Sequence, residues 1–237
     1  MEKTIQTLDK YTGHKNKAGL YQKIINQIPK HDIYAEFFAG SASVFDLITV
    51  PAAKNILNDI NAEVYQLLVE KYQNTSFLIC CYDAIKLLKL SLKTSNKKFF
   101  NKDFFVFLDP PYLHETRPNG TNLYKHEMTK IDHVQLLSNC LVMKCNLMII
   151  HPKCELYEKM LFNWRKIEVK VRYNKKTSIE CLYMNYPEPA ELQDYSYLGN
   201  NCWDRQRIKR KVENYVEKFK KLPVLDRNHI INNLKKI

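Results

Sequence analysis

The chain has 237 residues, of which 45% are hydrophobic, and carries 37 Lys+Arg against 25 Asp+Glu, a net charge of +12. That length and hydrophobic content suffice to bury a core without disulfide or metal staples and exclude a disordered chain. The apolar runs, of which Phe104-Phe105-Val106-Phe107-Leu108 is typical, are too short to cross a bilayer, and the first ten residues lack a cationic, apolar leader. Membrane spanning and secretion are not expected. The seven cysteines are odd in number and form no C-x-x-C pair, which fits a reducing, cytoplasmic compartment. Cys145, His151 and Cys154 could be imagined as zinc ligands, but no second knuckle accompanies them, and no metal is expected.

Short runs rich in aromatic and β-branched residues alternate with helix-period segments from Ile33 onward, the pattern of an α/β domain with a mainly parallel sheet. Strands are predicted near Ile33–Phe38, Asn55–Asn58, Phe77–Cys81, Phe104–Leu108 and Asn146–Ile150. Helices are predicted between them at Ala42–Thr49, Asn61–Tyr72, Ala84–Leu92, Lys130–Lys144 and Lys153–Leu161. Trp164–Tyr173 and Ser178–Tyr186, joined by a polar turn, read as an antiparallel hairpin that brings the sheet to seven strands. Beyond it, the helical spacing of Trp203, Ile208, Val212, Tyr215, Val216, Phe219 and Leu222 predicts a tail helix ended by Pro223, with a shorter one over Leu225–Leu234. The expected organisation is a body over 1–190 and a helical extension over 191–237.

In an open parallel sheet, ligands bind beyond the carboxyl ends of the strands, where every strand-to-helix loop emerges. Four successive strand ends carry Gly40, Asp59, Asp83 and Asp109. With strands about 4.8 Å apart, these groups converge on one composite site. Gly40 lets a ligand approach the backbone, and Asp59 follows at a spacing suited to gripping a ribose diol, although an ordinary turn glycine explains Gly40 taken alone. The full G-x-G-x-x-G is absent, which argues for an adenosine-type ligand without a pyrophosphate.

Asp109-Pro110-Pro111-Tyr112 is the most specific signal. An exocyclic amine conjugated to an aromatic ring is a poor nucleophile because its lone pair is delocalised. The Asp109 carboxylate and the Pro110 carbonyl can accept its two N–H protons and favour a pyramidal nitrogen. Pro110 and Pro111 remove competing donors and fix the loop, and Tyr112 offers a face for a displaced base.

Together, Tyr11-x-Gly13-x-Lys15, Glu36-Phe37-Phe38-Ala39-Gly40, Asn58-Asp59-Ile60-Asn61, Cys81-Tyr82-Asp83-Ala84 and Asp109-Pro110-Pro111-Tyr112 resemble, in order, the motifs of the Dam-like N6-adenine DNA methyltransferases. Tyr124-Lys125-His126-Glu127-Met128-Thr129 and the basic tail are similar to phage and prophage members, which implies a bacterial or phage-infected host cell. The resemblance implies a Rossmann-like class I methyltransferase fold with S-adenosylmethionine as methyl donor. It implies that Tyr11 and Lys15 cover that cofactor, Phe38, Gly40 and Ser41 line it, Asp59 takes its ribose and Asp83 lies near its adenine. It also implies direct transfer to N6 of an adenine flipped out of DNA, since a duplex buries N6.

Three departures qualify the carry-over. Ala42 stands where relatives usually have a second glycine, so a left-handed backbone there would bear strain. His151-Pro152 follows the fifth strand, and a histidine held by the fold is the expected role. Asp59 and Asp83 are only 24 residues apart, which leaves no room for a target-recognition insertion. Base readout is then expected from the Leu113–Glu127 loop, the hairpin or the tail, with relaxed or short sequence specificity.

The charge supports a polyanion partner, because the surplus is segregated. Arg165–Lys176 holds six basic residues and one acid, and Trp203–Ile237 eleven and four, so the two stretches contain the whole +12. A solvated surface is the alternative reading of a charge run alone. Arg117, Asn119, Tyr124, Lys125, His126, Arg172, Lys175, Arg205, Lys209 and Arg210 are the candidate nucleic-acid contacts. Adenine in RNA, and a nucleic-acid-binding subunit inactive without a partner, stand as the alternatives to a DNA enzyme.

Overall fold

The computed structural model describes residues 15, 19–49, 51–93, 101–117, 120, 122–173 and 176–236. Tyr11, Asn119 and Lys175 lie outside them. Two compact units divide the chain, Met1–Gln193 and Asp194–Ile237.

In the first unit, α1 (Leu20–Asn26) precedes β1 (Ile33–Glu36) and β2 (Lys54–Asn58), then α2 (Ala62–Lys71), β3 (Leu78–Cys80), α3 (Ala84–Lys93) and β4 (Phe104–Leu108). There follow α4 (Lys130–Val142), β5 (Asn146–Pro152), α5 (Glu155–Met160), β6 (Arg165–Tyr173) and β7 (Lys176–Met184). The sheet order is β3-β2-β1-β4-β5-β7-β6. The first five strands pair in parallel, and β7 is antiparallel to both β5 and β6. This is the expected Rossmann-like α/β sheet, and its strand order reverses between β1 and β4. A ligand crevice opens at such a switch point.

β4 explains why the sheet holds together there. All five residues of Phe104–Leu108 are buried, as a central parallel strand covered on both faces requires. Side chains alternate between faces with period two. Phe105 and Phe107 accordingly enter one core with Leu20, Ile24, Tyr34, Phe45 and Leu68, while Phe104, Val106 and Leu108 enter another with Leu88, Leu136, Leu137 and Tyr157.

Two elements differ from expectation. α1 was not predicted; it is only seven residues long, too short for its periodicity to stand out. The helix expected over Ala42–Thr49 is instead a single 3-10 turn, Phe45–Leu47. Ala42 has φ +55°, and a residue in the left-handed region cannot open a right-handed helix. No helix among the described residues is long and apolar enough to cross a membrane.

In the second unit, α6 (Cys202–Lys220) and α7 (Val224–Leu234) flank Pro223, and neither buries a residue. Asn201 caps α6 by accepting the Asp204 N–H through its side chain at 2.9 Å.

Candidate active site

The loop after β1 and the end of β2 are stitched by side-chain hydrogen bonds to backbone. Asn58, wholly buried, donates through Nδ2 to the Phe37 carbonyl (3.0 Å) and the Tyr82 carbonyl (2.9 Å) and accepts the Tyr82 N–H at 2.9 Å. One amide thus ties the carboxyl ends of three strands. Next to it, Asp59 accepts the Gly40 N–H through Oδ2 and the Asn61 N–H through Oδ1, both at 2.9 Å. Burial raises its pKa above the ordinary carboxylate range against the pull of those two bonds. Gly40 (φ +50°) and Ala42 (φ +55°) both turn left-handed, which costs glycine little and strains the backbone at Ala42.

Lys15, Phe38, Gly40, Ser41, Asp59 and Asp109 line one pocket, together with Glu36, Pro111, Tyr124, Lys125 and His126. Seven of the expected cofactor and catalytic residues, Pro111 among them, therefore converge on a single cleft at the switch point. Asp83 lies in an adjoining pocket with Phe38, Ile60, Tyr82 and Pro111. Its Oδ1 also caps α3, accepting the Ile85 and Lys86 N–H groups at 2.9 and 3.2 Å.

The corner after β4 is held from several sides. Lys15 Nζ pairs with Asp109 Oδ2 at 2.6 Å, with both side chains largely buried, and lies 4.8 Å from the centre of the Tyr112 ring. Burial pushes Asp109 up to about 6 against the Lys15 ammonium. Burial alone would lower Lys15, but the Asp109 and Glu180 carboxylates overcome it and leave the ammonium above its usual value. The Tyr112 hydroxyl donates to Glu180 Oε2 at 2.7 Å. His151 is buried, donates through Nδ1 to the Pro152 carbonyl (2.7 Å), accepts the Leu113 N–H at Nε2 (3.1 Å) and stacks on Tyr157 at 4.0 Å. Burial lowers it to about 3, so it is neutral. It holds the loop rather than facing the cleft, as expected.

Glu36 is the second buried acid of the pocket, with the Tyr34 hydroxyl donating to Oε2 at 2.9 Å. Burial raises it to about 8. Folded Glu36 therefore keeps a proton that the unfolded chain, near 4.5, has released. Its contribution to stability is full below pH 4.5 and is lost as pH rises through 8, at roughly 1.4 kcal/mol per pH unit of that window. Glu36→Gln, which cannot ionise, is expected to show a smaller fall in Tm between pH 5 and pH 9 than the parent chain. Equal falls in both would mean that Glu36 is ionised at neutral pH.

Among the expected nucleic-acid contacts, Arg117 requires correction. Its side chain is 3% exposed and the guanidinium donates two hydrogen bonds to the Glu127 carboxylate, at 2.8 and 2.6 Å, beside the Tyr124 ring. Glu127 also accepts the Leu123 and Tyr124 N–H groups at 2.6 and 2.9 Å, so Arg117 and Glu127 form the clasp that shapes the loop. Lys125 is exposed and pairs with Glu63 at 2.9 Å. Arg172 is exposed on β6. On α6, Arg210 shares a shallow groove with Trp203, Arg207, Lys211, Tyr215 and Lys218, whereas Arg205 and Lys209 lie outside it. Helical spacing turns Arg205 toward the Val212 side, and Lys209 faces Glu213 at 3.9 Å. Arg207, Lys211 and Lys218 are the basic residues of that face missed from sequence.

Residues 11–103 match the family of D12 class N6 adenine-specific DNA methyltransferases. The resemblance to the Dam-like enzymes stands. The matched segment spans 93 of the 237 residues. The match ends before Asp109–Tyr112, and the pocket joins that corner to the matched segment through Lys15, Gly40 and Asp59. No curated protein matches the sequence. Solved structures similar to the chain include TrmK of M. capricolum in complex with S-adenosyl-homocysteine, at 10% identity over 91% of this chain and 93% of that one, with a TM-score of 0.47. A putative RNA methyltransferase, PH1948 from Pyrococcus horikoshii, is 13% identical over 77% and 94% (TM-score 0.43). A putative methylase, HI0767 from Haemophilus influenzae, is 17% identical over 70% and 84% (TM-score 0.43).

Proposed function

We propose that this chain is an S-adenosylmethionine-dependent methyltransferase that modifies the exocyclic N6 of adenine in DNA, with residues 1–190 as the transferring body and 191–237 as a nucleic-acid-binding extension. The observation that carries this reading is the position of Asp109, which ends the central strand in the pocket lined by Gly40 and Asp59 and shares an ion pair with Lys15.

The donor set fits the cofactor. Asp59 offers a buried carboxylate to a diol, Gly40 offers close backbone approach, and Phe38 and Ile60 offer apolar surfaces shared by the two pockets. The Asp59 and Asp109 carboxylates give the wall negative charge, which suits a cation. Tyr11, Lys15, Ser41 and Asp83 complete the proposed set. S-adenosylmethionine supplies an electrophilic methyl group when bound.

The chain's own task is to make the amine reactive. Asp109 Oδ2 is engaged by Lys15, which leaves Oδ1 to accept one N–H while the Pro110 carbonyl accepts the other. Both acceptors withdraw the hydrogens from the ring plane and direct the lone pair outward. As the nitrogen takes up the methyl group it gains positive charge and sheds one proton, which Asp109 is placed to accept. The base must leave the duplex at a cost of a few kcal/mol, which phosphate contacts from Arg172, Lys125 and the α6 groove offset.

Side-by-side methyl transfer to duplex DNA, single-stranded DNA and RNA of the same sequence tests the substrate. DNA is expected to be methylated faster than RNA. Transfer to RNA alone would assign the chain to the other polymer, and a pure chain that binds cofactor but methylates none of the three would favour a subunit that needs a partner.

A further inference from the structure

We propose that Glu180 on β7 is a positioning residue of the transfer site, which fixes the Tyr112 ring through its hydroxyl and sets a second negative charge behind the Lys15–Asp109 pair. This rests on the reading of Asp109–Tyr112 as the amine-binding corner.

Topology explains how a residue 71 positions after Asp109 reaches it. β7 runs antiparallel to β5, with Glu180 in register with Pro152, so the early part of β7 lies at the same sheet edge as the carboxyl ends of the parallel strands. Glu180 is 1% exposed within a strand whose following residues, Cys181 to Met184, are buried and largely apolar. A carboxylate there is costly unless a specific partner holds it. Its hydroxyl partner is Tyr112, at 2.7 Å. The same ring meets His151 edge-on at 5.2 Å and carries Lys15 Nζ 4.8 Å from its centre, so it is located by three groups from three parts of the chain.

The second effect is electrostatic. One ammonium faces two carboxylates in a dry corner, which leaves a net negative charge where the amine nitrogen becomes positive during transfer. Asp109 feels Lys15 from before α1, Glu36 from β1, Tyr124 from the 113–127 loop, Tyr157 from α5 and Glu180 from β7, with neutral His151 beside Tyr112 on β5. Glu180 adds to burial in holding Asp109 near 6. Neutralising Glu180 therefore makes Asp109 easier to ionise, and transfer should persist to lower pH.

The test measures kcat against pH for the full-length chain with labelled S-adenosylmethionine and duplex DNA, in the parent, Glu180→Gln and Tyr112→Phe. Glu180→Gln keeps an oxygen for the tyrosine hydroxyl; its acid limb is expected to move down by about half a pH unit or more. Tyr112→Phe releases the ring while keeping the charge; it is expected to lose about tenfold in kcat with KM for S-adenosylmethionine and the acid limb unchanged. An acid limb in Glu180→Gln that coincides with the parent's would overturn the proposal, including where the variant is merely less stable. If Glu180→Gln does not fold, Tyr112→Phe decides: kcat within twofold of the parent overturns it. A parent chain that methylates no adenine would instead sink the underlying reading, and the proposal with it.

Discussion

Asp109→Asn is expected to lower methyl transfer by about three orders of magnitude or more while leaving cofactor and DNA binding within a few-fold of the parent. The argument is geometric. Asparagine keeps the size of the side chain but carries no charge, accepts an amine N–H weakly and cannot take up the proton that the methylated nitrogen must shed. The loss falls on the transition state, so kcat drops rather than KM rising. Asparagine is preferred to alanine because its amide oxygen still offers the buried Lys15 ammonium a hydrogen-bond acceptor, whereas the charge pair is lost in either variant. Isothermal titration with S-adenosylmethionine and single-turnover transfer separate the two effects. A variant with ordinary turnover would show that the carboxylate is only a strand-end cap.

Deletion of 203–237 is expected to have the second largest effect, on affinity rather than on chemistry. The segment carries eleven basic residues and four acids, and α6 buries none of its side chains, so that its charge is available to a partner. Arg207, Arg210, Lys211 and Lys218 share a groove with Trp203, which is 77% exposed. If about three of these four neutralise phosphates, the slope of log affinity against log salt falls by about 2.7 on deletion, since each phosphate contributes about 0.9. DNA affinity at low salt should drop by at least tenfold, and the single-turnover rate at saturating DNA should be little changed. Equal affinity at every salt concentration would make the tail a structural appendage.

Much of the site was legible because the parallel sheet sends its strand ends to one edge. Asp109 followed from β4, whose five buried residues end just before it, Gly40 from the neighbouring β1 and Asp59 from β2, the next strand along. The strain foreseen at Ala42 is present as φ +55°, yet the same residue spoiled the helix expected to start there. Glu180 was not legible: an acid in the strand Lys176–Met184 gains its meaning only from the antiparallel register that sets it opposite Pro152. Arg117 was misread because a basic residue in a polar loop suggests solvent or phosphate, and only the folded loop shows Glu127 closing on it ten residues later. Glu36 was quoted in its motif without a role, since burial, not residue type, keeps it protonated at neutral pH.

The most direct measurement is the identity of the methylated nucleoside. Duplex DNA treated with the purified chain and labelled S-adenosylmethionine, digested to nucleosides and separated with mass detection, is expected to place the label on N6-methyl-2′-deoxyadenosine. Label confined to a methylated cytosine, or to a ring nitrogen of adenine, would contradict the account of a carboxylate and a carbonyl activating the exocyclic amine of adenine.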